Sequence, residues 1–244
     1  MYWRPENAHL WRAFWQHVRG HLPDLPALTA PQDIAGPWID HWLRPDLALS
    51  ATCSLPLRNE LRDRVTYVGT LSHGTTSLPG HYQSCLIRHP AVAHPRRLAV
   101  NEFISHSGWI AAQDHPLSAS ADSILETGSH AASLSAVAEG RADMAMIDLT
   151  TWRILCQTTP ETRRVVITGH SNPSPAHAII TAKGRDPAPL RTALIAATAA
   201  FDPPNPDLMG GRPSFDVLPL DAYLRLPILP AKMLSQRQPV EKSG

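Results

Sequence analysis

Two short turns of the chain collect hydroxyl and imidazole side chains that could do chemistry. Each turn follows an apolar run and precedes a helical pattern, the first in "LAVNEFISHSGW" and the second in "SILETGSHAASL". We name them the SHSG turn and the TGSH turn; their residues are Ser105, His106, Ser107, Gly108, Thr127, Gly128, Ser129 and His130. Ser and His together can form a nucleophile and its base, whereas hydroxyl groups at a helix start can donate hydrogen bonds to an anion.

A covalent serine mechanism is the less favoured of these two chemistries. The nucleophile elbow of hydrolases needs GxSxG, and the nearest match, "GHSNP", has Pro173 in place of the second glycine. Ser105 to Ser107 are consecutive, whereas a catalytic pair is assembled from different strands. His130 could still reach Ser107 from the next strand end. Acid/base work by His106, His130 and Asp148 therefore stays open as an alternative.

The position of the polar residues after predicted strands favours anion binding. Ligands of open α/β sheets bind beyond the carboxyl ends of the strands, where helix N-termini present unpaired N–H groups. Both turns lie at such ends, as do Asp148 after "DMAMI" and Thr52 after "DLALSA". The plain alternative is that the Ser and Thr residues only cap helices, and that Asp148 caps a helix beginning at Leu149. Tyr82 is a candidate pocket residue, although an aromatic residue at such a position is more often part of the core.

The elements around these residues alternate between strands and helices, which indicates an α/β fold. Apolar residues at helical spacing predict a helix from Asn7 to Leu22, with Asn7 as N-cap. Further helices are predicted in "PWIDHWL", from about Ser107, in "SHAASLSAVAEG" and in "APLRTALIAATAAF". The predicted strands are "DLALSAT", "RVTYVGT", "HYQSCLIR", "RRLAVN", "SILETG", "ADMAMID", "RRVVITG" and "AHAIITAK".

Composition restricts the class of partner. The 244 residues have a formal net charge of +1 and are 43% hydrophobic, which fits one large globular domain or two lobes and gives no sign of a nucleic-acid partner. The cysteines have no CxxC spacing and the histidines no HExxH pattern, so we predict neither a metal site nor a cofactor. No run approaches the ~18 apolar residues of a membrane span, and "MYWRPENAHLW" lacks a signal-peptide layout.

Four segments between about residues 45 and 185 carry a resemblance to a known family. They are "TCSLPL", "GHYQSCLIR", "AVNEFISHSGW" and "ETGSHAASLSAVAEGRADMAMIDLTTW". In this order they resemble the PhnD-like solute-binding components of phosphate and phosphonate ABC transporters, a family with a type 2 periplasmic-binding-protein fold. The most specific parts are the SxSG pattern, the TGSH turn with its following "AVAxGxAD", and Asp148.

The resemblance implies two α/β lobes with a ligand cleft between them. Lobe 1 would comprise residues 1–88 and 184–244, and lobe 2 residues 89–183, with crossings at 87–94 and 181–184. Ser105, Ser107 and Gly108 would hold the anion, with the TGSH turn and Asp148 beside it. Thr52 and Tyr82 would come from lobe 1.

The function implied by the resemblance is binding of a small phosphate- or phosphonate-like anion, without catalysis, for delivery to the membrane permease of an ABC importer in the periplasm. This sequence departs from the family pattern at two points, and each leaves an alternative function or ligand open. The chain starts as though Met1 were internal to the family's first strand, so either the start is misassigned or the protein is a cytoplasmic offshoot. His106 stands where the family commonly has a small residue, so the ligand could differ. An enzyme on the same fold and a cytoplasmic ligand sensor are the alternative functions.

Overall fold

A computed structural model describes residues 2–226, which form two compact units. Unit 1 comprises residues 2–82 and 174–226, and unit 2 comprises residues 83–173. The predictions made for Met1 and for residues 227–244 lie outside the described residues. Among the described residues, no helix is both long and apolar enough to cross a bilayer.

The helices are mostly short. The α-helices, in chain order, are α1 (Ala8–His21), α2 (Trp38–Trp42), α3 (Ser54–Pro56), α4 (Ala111–Gln113), α5 (Pro116–Ala119), α6 (His130–Ala138), α7 (Leu149–Thr158), α8 (Ala188–Ala200) and α9 (Asp221–Leu224). Single π-helical turns at Leu57–Leu61 and His106–Ile110 adjoin α3 and α4. Short 3-10 turns lie at Pro5–Asn7, Pro31–Asp33, Pro160–Arg164 and Pro206–Met209.

The strands belong to two main sheets and one ribbon. They are β1 (Ser50–Thr52), β2 (Val65–Ser72), β3 (His81–Tyr82), β4 (Ser84–Arg88), β5 (Arg97–Val100), β6 (Ser123–Glu126), β7 (Met144–Asp148), β8 (Val166–His170), β9 (Ser174–Pro175), β10 (His177–Ala182) and β11 (Ser214–Asp216). Unit 1 contains the antiparallel sheet β1-β10-β2-β11 and the β3-β9 ribbon; unit 2 contains the sheet β6-β5-β7-β4-β8. In unit 2, β5 runs parallel to β6 and β7, whereas β4 runs antiparallel to β7 and β8.

The helical spacing at the N-terminus produces the main core of unit 1. Leu10, Phe14 and Val18 of α1 pack with residues of α8 and of the sheet, as their spacing predicts. Asn7 does occupy the N-cap position, but its side chain does not cap α1. Its Oδ1 accepts from the Arg4 N–H at 2.8 Å, and its Nδ2 donates to the carbonyls of Tyr2 and Leu208. The residue therefore ties the N-terminal segment to a distant loop.

Unit 2 is built around a fully buried central strand. All five residues of β7 are buried, because β7 is the central strand of the sheet and α6, α7 and the π-helical turn at His106–Ile110 pack against it. Asp143, just before β7, accepts hydrogen bonds from the guanidinium and the backbone N–H of Arg97. Burial works against ionisation of Asp143, but these bonds outweigh it and lower the pKa of the carboxyl. The pair fixes the start of β5 next to β7.

The boundaries of the two units differ from the predicted lobes. We predicted β4 in lobe 1, but its hydrogen bonds to β7 and β8 place it in unit 2. We predicted β10 in lobe 2, but it pairs with β1 and β2 in unit 1. The segment 87–94, predicted as a crossing, forms a turn within unit 2, where the Arg88 guanidinium donates to the Val92 carbonyl at 2.7 Å. Strand pairing sets the boundary, and pairing partners are not encoded in local sequence pattern.

Candidate anion-binding site

The SHSG and TGSH turns leave neighbouring strands at the same edge of the unit 2 sheet. Val100 and Glu126, the last residues of β5 and β6, are register partners in a parallel pair. Backbone bonds continue past the strand ends, from the Thr127 N–H to the Val100 carbonyl at 2.9 Å and from the Gly128 N–H to the Asn101 carbonyl at 2.7 Å. The structure therefore brings the two turns together, as the strand-end argument predicts.

The SHSG turn is a buried helix start. Ser105 is the N-cap, and its Oγ accepts from the Gly108 N–H at 3.2 Å. The Ser107 Oγ lies 3.3 Å from the Ser105 Oγ. Ser105, His106 and Ser107 are all buried. A hydroxyl that accepts a capping bond keeps its own O–H, so the Ser105 Oγ can still donate to a ligand.

The TGSH turn is a second helix start, and most of its polar side-chain atoms already make hydrogen bonds within unit 2. The Ser129 Oγ caps α6 by accepting from the Ala132 N–H at 3.1 Å. The Thr127 Oγ lies 3.1 Å from the Val100 carbonyl and 2.7 Å from the Ser133 Oγ, so this hydroxyl is committed to its own unit. Gly128 has a φ of +83°, a left-handed conformation that favours glycine.

A direct hydrogen bond joins the two turns. The Ser107 Oγ lies 2.9 Å from the His130 Nε2, and the direction of donation depends on the tautomer of the ring. Burial lowers the pKa of His130 to about 4, so the imidazole is neutral at pH 7. The Ser84 Oγ, at the start of β4, donates to the Ser107 carbonyl at 2.8 Å and so holds the SHSG turn.

Within residues 2–226, no carboxylate bonds to the imidazole of this Ser–His pair, so the third group of a catalytic triad is absent there. The other polar neighbour of the ring is the backbone of Met146. A neutral imidazole with such a low pKa is also a weak base near pH 7. The geometry is therefore that of a hydrogen-bonded Ser–His pair with no activating carboxylate among the described residues.

Asp148 adopts the capping geometry that the sequence left open as one of two alternatives. Its Oδ1 accepts from the N–H groups of Thr150 and Thr151 at 2.7 and 3.1 Å, at the start of α7. Asp148 is also the register partner of Ser84, which contacts the SHSG turn. Its carboxylate therefore helps to shape this edge of the sheet, and its contact with a ligand stays a prediction.

Sequence reasoning missed a buried polar layer beneath the SHSG turn. A Cβ at Gly108 would collide with the Asn101 Oδ1, so any larger residue there would require the Asn101 side chain to move. The Asn101 Oδ1 and the Trp109 Nε1 are buried and, within the described part of the chain, have no hydrogen-bond partner. The Phe103 ring packs edge-on against Trp109 at 5.1 Å. The only sequence signal for this layer was an Asn directly after an apolar strand.

Thr52 and Tyr82 lie in unit 1 and are both buried. The Thr52 Oγ donates to the Cys53 carbonyl at 3.3 Å, and the Tyr82 ring lies 5.8 Å from the ring of His177. Arg58, which sequence reasoning did not consider, is a buried cation in the same unit and donates to the Ser54 Oγ at 3.2 Å. Burial lowers the pKa of this guanidinium.

Metal binding has no support in the part of the chain that the structure describes. No three His, Cys, Asp or Glu side chains converge there in a way that could hold an ion. Likewise, no hydrogen bond or ion pair within residues 2–226 connects a Lys or Arg side chain to Ser105, Ser107, Ser129 or His130. The donors at the two turns are therefore neutral hydroxyl, imidazole and backbone groups.

Comparison with solved structures defines the class of the fold. The chain is similar to PhnD1 from Prochlorococcus marinus in complex with methylphosphonate, with 10% identity, coverage of 90% of this chain and 91% of that one, and a TM-score of 0.63. It is similar to the phosphonate transporter binding protein PA3383 from Pseudomonas aeruginosa, with 14% identity, coverage of 86% and 78%, and a TM-score of 0.59. These likenesses confirm the predicted α/β fold of two-lobed type 2 periplasmic binding proteins.

A family model for the periplasmic substrate-binding protein of phosphonate ABC transporters matches residues 87–220, more than half of the chain. The chain belongs to this family, as its motifs predict. It is also similar to XAC2383 from Xanthomonas citri bound to ATP, with 17% identity, coverage of 88% and 91%, and a TM-score of 0.57. No curated protein sequence matches the chain.

Proposed function

We propose that the protein binds a small anion with a phosphate- or phosphonate-type group at the SHSG and TGSH turns, as the solute-binding component of an ABC importer. The observation that carries this proposal is the pair of linked helix starts on neighbouring strands, joined by the Ser107–His130 hydrogen bond. Two helix N-termini at one sheet edge offer backbone N–H groups and a favourable dipole to an anion.

Several observations support the phosphate or phosphonate class. Family membership implies a substrate-binding role, and two of the similar structures hold methylphosphonate and ATP, ligands with a phosphonate or phosphate group. A tetrahedral oxyanion has several acceptor oxygens, which suits a cluster that contains the Ser105 and Ser107 hydroxyls and the N–H groups of two helix starts. The same membership supports a periplasmic location and a membrane permease as partner.

An enzymatic role is the second candidate, because the Ser107 Oγ and the His130 Nε2 lie within nucleophile-to-base distance. The low pKa of His130 and the lack of a carboxylate beside its ring within residues 2–226 argue against it. We therefore propose reversible binding without a covalent step.

The experiment combines Ser105→Ala and Ser107→Ala in one protein and measures the Kd of methylphosphonate and phosphate by calorimetry. Loss of two hydrogen bonds to a charged ligand is expected to weaken binding by about 100-fold or more. The control is Asn205→Ala, which removes a cap in unit 1, where the Asn205 Oδ1 accepts from the Asp207 N–H, and should leave the Kd unchanged.

Unchanged affinity in the double variant would contradict the proposal and leave the two serines with a capping role only. The same samples answer the enzyme question, because ligand recovered after long incubation is weighed by mass spectrometry. A changed ligand mass, lost again in His130→Ala, would favour the enzyme.

A further inference from the structure

The hydrogen bond between Ser107 and His130 has a direction, which the surroundings of the imidazole determine. Burial lowers the pKa of His130 to about 4, so the ring carries a single N–H at neutral pH. Its Nε2 faces the Ser107 Oγ at 2.9 Å, and its other nitrogen, Nδ1, is buried. In a neutral imidazole one nitrogen donates and the other accepts, so the position of the proton fixes both roles.

The backbone of Met146 favours the proton on Nδ1. Met146 lies in β7, and α6, which begins at His130, packs against that strand. Burial lowers the pKa of His130, whereas the Met146 backbone acts in the opposite direction and raises it. A backbone carbonyl has this effect because its oxygen attracts a ring N–H, whereas a backbone N–H would favour the deprotonated nitrogen. With the proton on Nδ1, the Ser107 O–H donates to the lone pair of Nε2.

The two serine hydroxyls then present opposite hydrogen-bonding roles to a ligand. Ser107 has committed its hydrogen to His130, so its Oγ has only lone pairs left to offer. Ser105 accepts from the Gly108 N–H and keeps its own O–H. The two oxygens lie 3.3 Å apart, which is long for a bond between hydroxyls, so a ligand can displace this contact. One acceptor and one donor therefore lie side by side.

We propose that the site selects a singly protonated tetrahedral oxyanion, a phosphate or phosphonate monoanion whose P–OH donates to the Ser107 Oγ while a second oxygen accepts from the Ser105 O–H. This inference rests on the proposed function, because it concerns the same two turns. The charge of the turns agrees with a monoanion. Among the described residues, no Lys or Arg side chain bonds to Ser105, Ser107 or His130, so a second buried negative charge would gain no cationic partner from them.

The arrangement disfavours ligands that lack an acidic proton. An oxygen of a sulfonate, or of a phosphonate dianion, would place its lone pairs against those of the Ser107 Oγ. Ser107 is buried, so water cannot easily relieve this mismatch. A buried site that is built to pair with a ligand O–H discriminates strongly against the analogue without it.

The first test measures the Kd of methylphosphonate by calorimetry at pH values on both sides of the second pKa of the ligand. Above that pKa, we expect the affinity for total methylphosphonate to fall about tenfold per pH unit, as the monoanion disappears. Methanesulfonate has a similar shape and a single negative charge but no acidic proton. We expect it to bind at least about 100-fold more weakly than the methylphosphonate monoanion.

A second phosphonate separates titration of the ligand from titration of the protein. The elements around the Ser–His pair also contain His106, Glu102 and Glu126, and Asp148 at the end of β7. Difluoromethylphosphonate has a lower second pKa than methylphosphonate because fluorine withdraws electrons, so its affinity should fall at a correspondingly lower pH. A fall at the same pH for both ligands would mean that a protein group causes it, and would overturn the inference.

The variant His130→Leu removes the acceptor for the Ser107 O–H at a similar side-chain volume. The hydroxyl can then donate to the ligand, so we expect the preference for methylphosphonate over methanesulfonate to shrink by about tenfold or more. The matched control is His89→Leu, which lies beyond the opposite end of β4 from Ser84, where the His89 Nδ1 accepts from the Ala91 N–H. It should leave the preference unchanged. A ratio of two Kd values in one protein does not respond to a general loss of stability.

Three results would overturn the inference while leaving anion binding intact. They are equal affinity for methylphosphonate and methanesulfonate, an affinity that stays constant or increases as methylphosphonate loses its last proton, and an unchanged preference in His130→Leu. Absence of binding for every ligand at every pH would instead contradict the proposed function itself.

Discussion

At the scale of single residues, the candidate site combines roles that the sequence analysis treated as alternatives. Ser105 both caps a helix and keeps a free hydroxyl hydrogen for a ligand, because a hydroxyl can accept and donate at once. His130 links the turns while remaining uncharged. Capping and anion binding are therefore compatible at Ser105, and its role as a helix cap does not exclude a contact with the ligand.

The neutral state of His130 makes stability depend on pH. Its pKa falls from the ordinary 6.5 to about 4 in the folded protein because of burial, so between these values the unfolded chain takes up a proton that the native state does not. Stability is fully present above pH 6.5 and is lost as the pH falls toward 4. The loss from this one group is at most roughly 3 kcal/mol.

The measurement is urea unfolding of the wild type and of His130→Gln at pH 7.5 and pH 4.5. We expect a smaller loss of unfolding free energy in the variant, since glutamine takes up no proton. All other groups are common to both proteins, so their contributions cancel in the comparison. Parallel pH profiles for the two proteins would refute the assignment.

At the scale of elements, the SHSG turn depends on close contact between a glycine and an asparagine. We expect Gly108→Ala to destabilise the protein by about 1–3 kcal/mol and to weaken anion binding, because the new Cβ would push the Asn101 side chain and the turn apart. Chemical denaturation and calorimetry measure the two effects.

The matched control is Gly20→Ala, in α1, where a Cβ meets nothing within 4 Å. This change should be neutral or slightly stabilising, since alanine favours a helix. Adding Asn101→Ala to Gly108→Ala should restore part of the lost stability by removing the clashing side chain. A Gly108→Ala protein as stable as the Gly20→Ala protein would show that the turn tolerates the side chain.

Much of this arrangement was accessible from sequence, and the remainder depends on long-range pairing. Apolar spacing predicted α1, the alternation of strands and helices predicted α6, and the strand-end rule put Ser107 and His130 within reach of each other. No local pattern could assign β4 to unit 2, because its partners β7 and β8 lie far along the chain. The role of Asn101 likewise follows from a contact that forms only when the turn packs.

At the scale of the whole molecule, charge is nearly balanced and the donors of the proposed site are neutral. With a formal net charge of +1, the protein offers little long-range attraction to an anion. We expect the Kd of methylphosphonate to change less than about threefold between 20 and 200 mM salt, since screening acts mainly on charges. Calorimetry at several salt concentrations measures this. A steep salt dependence would instead indicate that a cationic side chain holds the ligand.

The β3-β9 ribbon brings together the two points at which the chain leaves unit 1 and re-enters it. His81–Tyr82 pair with Ser174–Pro175 where the chain leaves unit 1 and where it returns. Immediately beyond, the Ser171 N–H donates to the Ser84 carbonyl at 2.9 Å, so the outgoing and incoming passages still run side by side. The first and last residues of unit 2 therefore lie close together. The four-stranded sheet of unit 1 contains no strand of unit 2. Unit 2 thus has the form of a domain inserted into a loop of unit 1, and such positions tolerate the exchange of one inserted domain for another.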